Sequence, residues 1–402
     1  MDATVNMVNQ TNERLRGSVD NPANISPTSG FFFTSPFRSL ATQGCFTRLS
    51  QPAAGGESLN SAFQQAVQQA FSQAQAAGIA NPILCGAIPF DTRQPSALFV
   101  PQQVQWFDRQ PFLHRQIPAD AELLEMVSQT EHPAKNDFMQ MVSSAVKATR
   151  DGALSKVVLS RLLEIETRHS VDKPALMARM IEQNPDGFHF HVPLEQGALL
   201  GASPELLLRK LDNHFHSTPL AGSAKRSSDP QQDQHISRQL LASTKDTYEH
   251  HIVTEGMREV LAARCRHLNI PQQPELLSTP TLWHLSSPID GDVADPAENA
   301  LSLACLLHPT PALCGSPMST ARELIEQLEP FERGLFGGIV GWCDAQGNGE
   351  WVVTIRCGTV VDRQVTLFAG AGIVPDSSPA SEWAETGTKL TTMLHAFGLN
   401  QR

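Results

Sequence analysis

The chain has 402 residues, and 30 Lys+Arg against 41 Asp+Glu give a formal net charge of −11. That sign opposes a nucleic-acid groove or an anionic membrane surface, but it leaves room for an anionic small molecule at one local positive site. At 41% apolar residues the chain can bury a full core, which excludes disorder throughout.

In chain order, residues 1–30 are polar and are expected to form a loose arm. Phe31 to Leu40 is the first strand region. A Gln/Ala-rich amphipathic helix follows, with Phe63, Val67, Ala70 and Phe71 on one face. Short apolar runs between prolines predict β structure over 82–118. Asn136 is placed to cap a helix carrying Phe138, Met141, Val142, Ala145 and Val146. From Lys156 the β signal strengthens. VVLSRLLEI and FHFHV read as strands, and ALLGASPELLLRKLDNHFHSTPL reads as a meander with turns near Ala202–Pro204 and Asp212–Asn213. One long helix is expected from about Gln234 to Leu268. A Pro- and Ser-rich connection over 271–290 follows, with a short strand at Leu282–Leu285. Helices are expected over 297–306 and 319–328. GGIVGWCD, WVVTIRCGTVV and QVTLFAGAGIV then read as three strands, and Ser381–Phe397 as a last helix. Hairpins interrupted by blocks of helix give an α+β fold with antiparallel sheets.

Seven cysteines without a C-x-x-C pair read as reduced, mostly buried thiols of a cytoplasmic protein. No secretory signal and no apolar run of membrane-spanning length is visible, so no membrane partner is expected.

Several polar residues break apolar patterns. Glu249 shares a helical face with Ile252, Val253, Gly256 and Val260, where a carboxylate is costly unless paired, metal-bound or reaching solvent. Glu382 and Lys389 fall on one side of the last helix with Met393 and Phe397. Glu385 and Lys389 are an i,i+4 pair, which a plain surface ion pair also explains. Lys156 opens a strand on the face of Val158 and Leu162; it either snorkels or, desolvated, serves as a base. Glu205 precedes three leucines, a setting that favours the protonated acid. Arg356 sits in VVTIRCGTV on the Val352–Thr354 face, where an arginine wants an anion unless that face is solvated. Gly222 and the Gly370–Ala371–Gly372 run end strands and let backbone N–H groups approach a ligand. His189 with His191, and His214 with His216, are i,i+2 pairs that could alternatively hold a transition metal in a non-catalytic binding protein.

Nine ordered blocks, KVVLSR, GASPELLLR, PLAGSAKR, STKDTYEHHIV, TLWHL, HPTPAL, FGGIVGWCDAQGNGEWVVTIRC, LFAGAGIV and EWAETGTKL, together resemble the chorismate-utilising enzymes. That family includes the anthranilate, aminodeoxychorismate, isochorismate and salicylate synthases. The resemblance covers about residues 31–400, with core motifs over 130–398. It is strongest to the isochorismate synthases of enterobactin-type catecholate siderophore pathways. It implies a single α+β domain over 31–400, with two stacked antiparallel β-sheets surrounded by helices. It also implies Mg²⁺ and the conversion of chorismate to isochorismate, feeding 2,3-dihydroxybenzoate synthesis. By motif, Lys156 would be the base that activates water at C2, and Glu205 the acid for the C4 hydroxyl. Glu249 and Glu385 would hold Mg²⁺, with Glu382 in the surrounding shell. Gly222 and Lys389 would serve the ring carboxylate, Arg356 and Gly370 the enolpyruvyl carboxylate, and His284 the ring. Ammonia-using relatives carry Gln where Lys156 stands, so no glutaminase subunit is expected; a monomer is. Salicylate synthases carry Thr and Tyr where this chain has Ala312 and Phe336, which favours stopping at isochorismate. A salicylate synthase and a menaquinone-branch isochorismate synthase are the alternatives within the family.

Overall fold

The computed structural model describes residues 26–109 and 124–399. The expected polar arm lies outside the described residues as far as residue 25. Among the described residues there are eight helices: α1 (Ala62–Ala76), α2 (Lys135–Arg150), α3 (Lys173–Gln183), α4 (Pro230–Ala242), α5 (Thr244–Ala262), α6 (Ala300–Leu307), α7 (Met318–Leu328) and α8 (Pro379–Ala396).

The strands form two large sheets and one small one. The first sheet runs in order through Gly315–Ser316, Lys156–Thr167, Gln364–Ile373, Cys357–Val361, Ala198–Ser203, Phe188–Pro193, Phe32–Thr34, Ser39–Gln43 and Gln103–Phe107, with Met126–His132 also on Lys156–Thr167. The second runs through Cys265–Asn269, Ile289–Val293, His214–Thr218, Leu206–Leu211, Gly349–Val353, Ile339–Asp344, Ile83–Ile88, Ala97–Val100 and Thr47–Leu49. Leu220–Lys225, Leu282–Ser286 and Glu275–Ser278 form the third. Neighbours pair antiparallel in all three.

Alternation decides which faces meet. Phe33, Phe190 and Leu199 of the first sheet share an apolar cluster with Ile83, Trp342 and Val352 of the second. The two inner faces therefore stack on each other. Outside the first sheet, Leu176 and Met180 of α3 pack with Leu390 and Leu394 of α8. Outside the second, α1, α5 and α6 contribute Phe71, Val253 and Leu303. Phe138 and Val142 of α2 join Ile325 of α7 against Val157 and Leu159. The outcome is the expected α+β arrangement of two stacked antiparallel sheets with helices outside.

Four local expectations are corrected. The long helix over 234–268 is two helices and a strand. Ser243 takes an extended ψ of 117° and its side chain accepts from the Asp246 N–H, capping α5 and breaking the continuity with α4. Residues Cys265–Asn269 then pair with Ile289–Val293. WVVTIRCGTVV is not one strand. Gly349–Val353 belongs to the second sheet and Cys357–Val361 to the first, so Arg356 lies in a crossover, not on a strand face. Asn136 lies within α2, whose N-cap position is Ala134 without a side-chain cap. On α5 the buried face combines Glu249 and Val253 with His250, Thr254, Met257 and Leu261, while Ile252, Gly256 and Val260 are half-buried.

The seven cysteines are unbonded; five are buried, Cys265 is half-buried and Cys45 exposed. No helix among the described residues is long and apolar enough to cross a membrane.

The stacking of the sheets rests on side chains such as Phe190, which is fully buried between them. Phe190→Ala is expected to cost about 3–5 kcal/mol, read as a lower denaturation midpoint in guanidinium.

Candidate active site

The chain passes between the two sheets twice in the same place. Ala198–Ser203 leaves the first sheet and Leu206–Leu211 enters the second. Gly349–Val353 leaves the second and Cys357–Val361 enters the first. The two crossovers run side by side. The Ala202 N–H donates to the Arg356 carbonyl at 3.0 Å, and the Val353 N–H to the Glu205 carbonyl at 3.2 Å. Arg356 turns at φ 49°, a left-handed conformation that a non-glycine residue adopts at a cost. Glu205 and Arg356 are thereby set at one end of the sandwich.

Around this point a cavity is lined by eight of the ten expected site residues: Glu205, Gly222, Glu249, His284, Arg356, Gly370, Glu385 and Lys389. Lys156 joins it through Glu249, its Nζ 2.8 Å from Glu249 Oε1. Glu382 lies one turn of α8 before Glu385. Ala312 and Phe336 are also in the wall.

Each expected residue has a structural reason to be there. Lys156 opens the strand Lys156–Thr167 with its side chain 1% exposed. Glu249 faces it from α5. Gly372 makes room for the pair: a Cβ there would collide with the Glu249 carboxylate and stand 2.8 Å from Lys156 Cε. On α8, Lys389 Nζ reaches Glu385 Oε1 at 2.6 Å and the Gly370 carbonyl at 2.8 Å. Helix α8 is held to the Lys156 strand by Arg161, whose guanidinium lies 3.6 Å over the Trp383 ring and donates to Thr386 Oγ1 at 2.9 Å. Gly222 has φ 83° and packs against Asp246, where a Cβ would come within 3.0 Å of the Asp246 Cβ.

The electrostatics are uneven. Burial pushes the Glu205 carboxyl up to about 7, although the Leu220 N–H, Lys156, Arg356 and Lys389 pull the other way. It is therefore a carboxyl that keeps its proton close to neutrality. Burial, with Arg356 and Lys389 nearby, holds His284 well below the usual imidazole range, and its Nε2 is buried without a hydrogen-bond partner. Burial lowers Arg356 to about 10 against the pull of Glu385 and Glu205. Burial and repulsion from Glu385 raise Glu382, whose Oε1 meets Lys245 at 2.9 Å and whose Oε2 is buried without a partner. Glu385 is held low: burial opposes this, but Lys389, Lys245 and Arg356 prevail.

Lys245 and Asp246 of α5 belong to the same group and were not expected. Asp246 is raised by burial and by Glu249 and Glu385. Three glutamates thus face three lysines: Glu249 with Lys156, Glu382 with Lys245, Glu385 with Lys389. Among the described residues no three His, Cys, Asp or Glu side chains stand as a finished metal cage. The donor set nevertheless suits Mg²⁺, which takes few carboxylates and completes its shell with water and ligand oxygens. The unpartnered Glu382 Oε2 and the crowding of Glu382, Glu385, Glu249 and Asp246 fit a divalent cation as well.

The histidine pairs are separated. His189 and His191 lie in the first sheet, their Nδ1 atoms 2.7 Å from Thr34 Oγ1 and the Gly30 carbonyl oxygen. His214 and His216 lie in the second and engage Asp290 and Asp292.

Comparison with known proteins places the chain in a family. Residues 102–398 match the family model described as chorismate binding enzyme. The chain is 53% identical over 375 residues to isochorismate synthase EntC of Escherichia coli strain K12, covering 92% of this chain and 95% of that protein. It is 39% identical over 381 residues to isochorismate synthase DhbC of Bacillus subtilis strain 168, covering 92% and 94%. The crystal structure of DhbC from Bacillus anthracis superposes with a TM-score of 0.85 at 38% identity, covering 94% of this chain and 98% of that one. The chain belongs to the chorismate-binding enzyme family, and its close relatives in it are isochorismate synthases.

Proposed function

We propose that this protein is a Mg²⁺-dependent isochorismate synthase that moves the hydroxyl function of chorismate from C4 to C2. The observation that supports it most is one cavity in which a strand lysine and a neutral-leaning carboxyl, Lys156 and Glu205, accompany paired glutamates and cationic groups. Water is a poor nucleophile and hydroxide a poor leaving group, so the ring needs a base and an acid together. Lys156 takes a proton from water as its oxygen bonds to C2. Both ring double bonds shift, C1=C2 to C6=C1 and C5=C6 to C4=C5, and the C4–O bond breaks. Glu205 gives its proton to the departing oxygen, so one water enters and one leaves.

Arg356 and the backbone at Gly370 hold the enolpyruvyl carboxylate. Lys389 and the N–H groups around Gly222 serve the ring carboxylate, and His284 packs on the ring. Glu249 and Glu385 would hold Mg²⁺, with Glu382 supporting them. When bound, the ion supplies positive charge that anchors the ring carboxylate and draws electron density from the ring. Ala312 and Phe336 in the wall bring no hydroxyl toward the ring, which supports release of isochorismate over elimination of pyruvate. The site draws on the first and third sheets, the two crossovers, α5 and α8, which supports reading one domain over 31–400.

We place the enzyme in the cytoplasm as a monomer without a glutaminase subunit, supplying 2,3-dihydroxybenzoate and a catecholate siderophore. The likeness to EntC supports that branch, and DhbC of Bacillus anthracis carries 2,3-dihydroxybenzoate in its name.

Incubation with chorismate and Mg²⁺ is expected to yield isochorismate. Salicylate plus pyruvate as the products would sink this reading, and so would full activity in Lys156→Gln or Glu205→Gln. Because the Glu205 carboxyl is raised, its acid form persists to about pH 7 and is lost above it. The kcat/KM is therefore expected to fall as pH rises through that value, seen in a kcat/KM profile from about pH 6 to about pH 9. Glu249→Ala is expected to weaken Mg²⁺ binding by about tenfold or more, measured by calorimetry; unchanged affinity would contradict its place in the metal site.

A further inference from the structure

The strand Lys156–Thr167 has a gap along one edge. Gly315–Ser316 pairs with it at Lys156–Val157, and the Val158 N–H donates to the Cys314 carbonyl at 2.8 Å. The next strand on that edge, Met126–His132, begins its pairing only at Leu162. Between the two, the Val158 carbonyl and the Ser160 N–H have no strand to meet.

A buried ion pair fills the gap. Glu329, just past the end of α7, accepts the Ser160 N–H on Oε1 at 2.7 Å. Arg333 Nη2 donates to the Val158 carbonyl at 2.7 Å and to Glu329 Oε1 at 2.5 Å. Its Nε donates to Glu329 Oε2 at 2.8 Å, and its Nη1 to the Leu313 carbonyl at 2.9 Å. Both side chains are 2% exposed. The guanidinium also lies 4.3 Å from the centre of the Phe90 ring. Side chains here complete a β ladder, and the planar fork of arginine suits the task because it serves a carboxylate and two carbonyls at once.

The tied points belong to the cavity. Val158 and Leu313 line it, as does Ala312 next to Leu313. Val158 is two residues from Lys156 on the same strand face. We propose that Arg333, with Glu329, is a positioning residue for the reaction: it fixes the Lys156 end of the strand against the 312–314 wall of the cavity. A buried pair of this kind is a poor source of stability but a good source of register. It touches neither substrate nor metal ligands, and acts only through where it holds Lys156 and the wall. This rests on Lys156 being the base.

Two variants test it. Arg333→Lys keeps the charge opposite Glu329 but cannot bridge both carbonyls. The double variant Glu329→Leu/Arg333→Met removes both charges and, with them, the partners of the Ser160 N–H and of the Val158 and Leu313 carbonyls. In folded protein, checked by circular dichroism and thermal midpoint, kcat is expected to fall about 10–100-fold while KM for chorismate stays within about threefold. A wild-type kcat in either folded variant overturns the proposal, as does a change confined to KM. Lys156→Gln is assayed in parallel. If it is inactive while the Arg333 variants keep full kcat, the positioning role alone fails; if it is active, the assignment of the base fails.

Discussion

The side-by-side crossovers between the two sheets are the constraint on which the site depends. A strand leaving one sheet for another must satisfy its backbone groups during the passage, because both sheets are dry on their inner faces. Here each crossover supplies the other's partner, through Ala202 with Arg356 and Val353 with Glu205. The arrangement needs a left-handed residue at 356, and an arginine occupies it. A non-glycine residue in that conformation is tolerated only where its surroundings over-determine it. The same passage buries a carboxylic acid between Pro204 and three leucines. Its raised affinity for a proton therefore follows from topology and not from a special partner.

Charge at the site is organised by pairing. An acidic chain brings a dianionic substrate to glutamates only if cations stand between them. Three lysines already do so, each from a different part of the chain: Lys156 from a strand, Lys245 from α5 and Lys389 from α8. Each lysine stands within ion-pair distance of one glutamate in a buried setting, where unpaired charges would be costly. Glu385 stays low because several of these cations outweigh its burial, whereas Glu382 rises because its burial and the neighbouring Glu385 outweigh one lysine. The global net charge therefore says little about this cavity, which has its own local balance.

The sequence showed the elements whose periodicity is long and clean. The last helix, the helix with Phe63 and Phe71, and the strand after Lys156 all lie where spacing placed them. It showed less where one continuous apolar run serves two sheets. WVVTIRCGTVV is rich in β-branched residues at both ends, and nothing local marks Thr354–Arg356 as a passage, because the crossover is fixed by partners in the other crossover, Ala202 and Glu205. The break at Ser243 was equally hidden: Ser-Thr-Lys-Asp is both tolerable helix and a good N-cap, and packing of α4 and α5 decided for the cap. The site residues were legible because ordered motif blocks carried them, each residue breaking an apolar pattern. Lys245 and Asp246 break none, being polar residues in a polar first turn, so only the fold gathers them to the others.

The glycines of LFAGAGIV show what buried charges require from a β-sheet. Gly370 and Gly372 face the same side of a strand that is otherwise well made for its place. A side chain at 372 would occupy the space of the Lys156–Glu249 pair, and one at 370 would stand 3.0 Å from the Ser160 hydroxyl and 3.2 Å from Val158. Two glycines two residues apart weaken a strand, through lost packing and greater freedom in the unfolded chain. The ladder with Lys156–Thr167 compensates by running unbroken from Gln364 to Ile373, the longest in the molecule. Length on the far side of the strand thus permits bareness at the end where helices α5 and α8 bring their glutamates. The buried Lys156, the carboxylates and the strand edge closed by Arg333 are consequences of one arrangement, in which sheet regularity is given up only where charged side chains can take over its hydrogen bonds or its space.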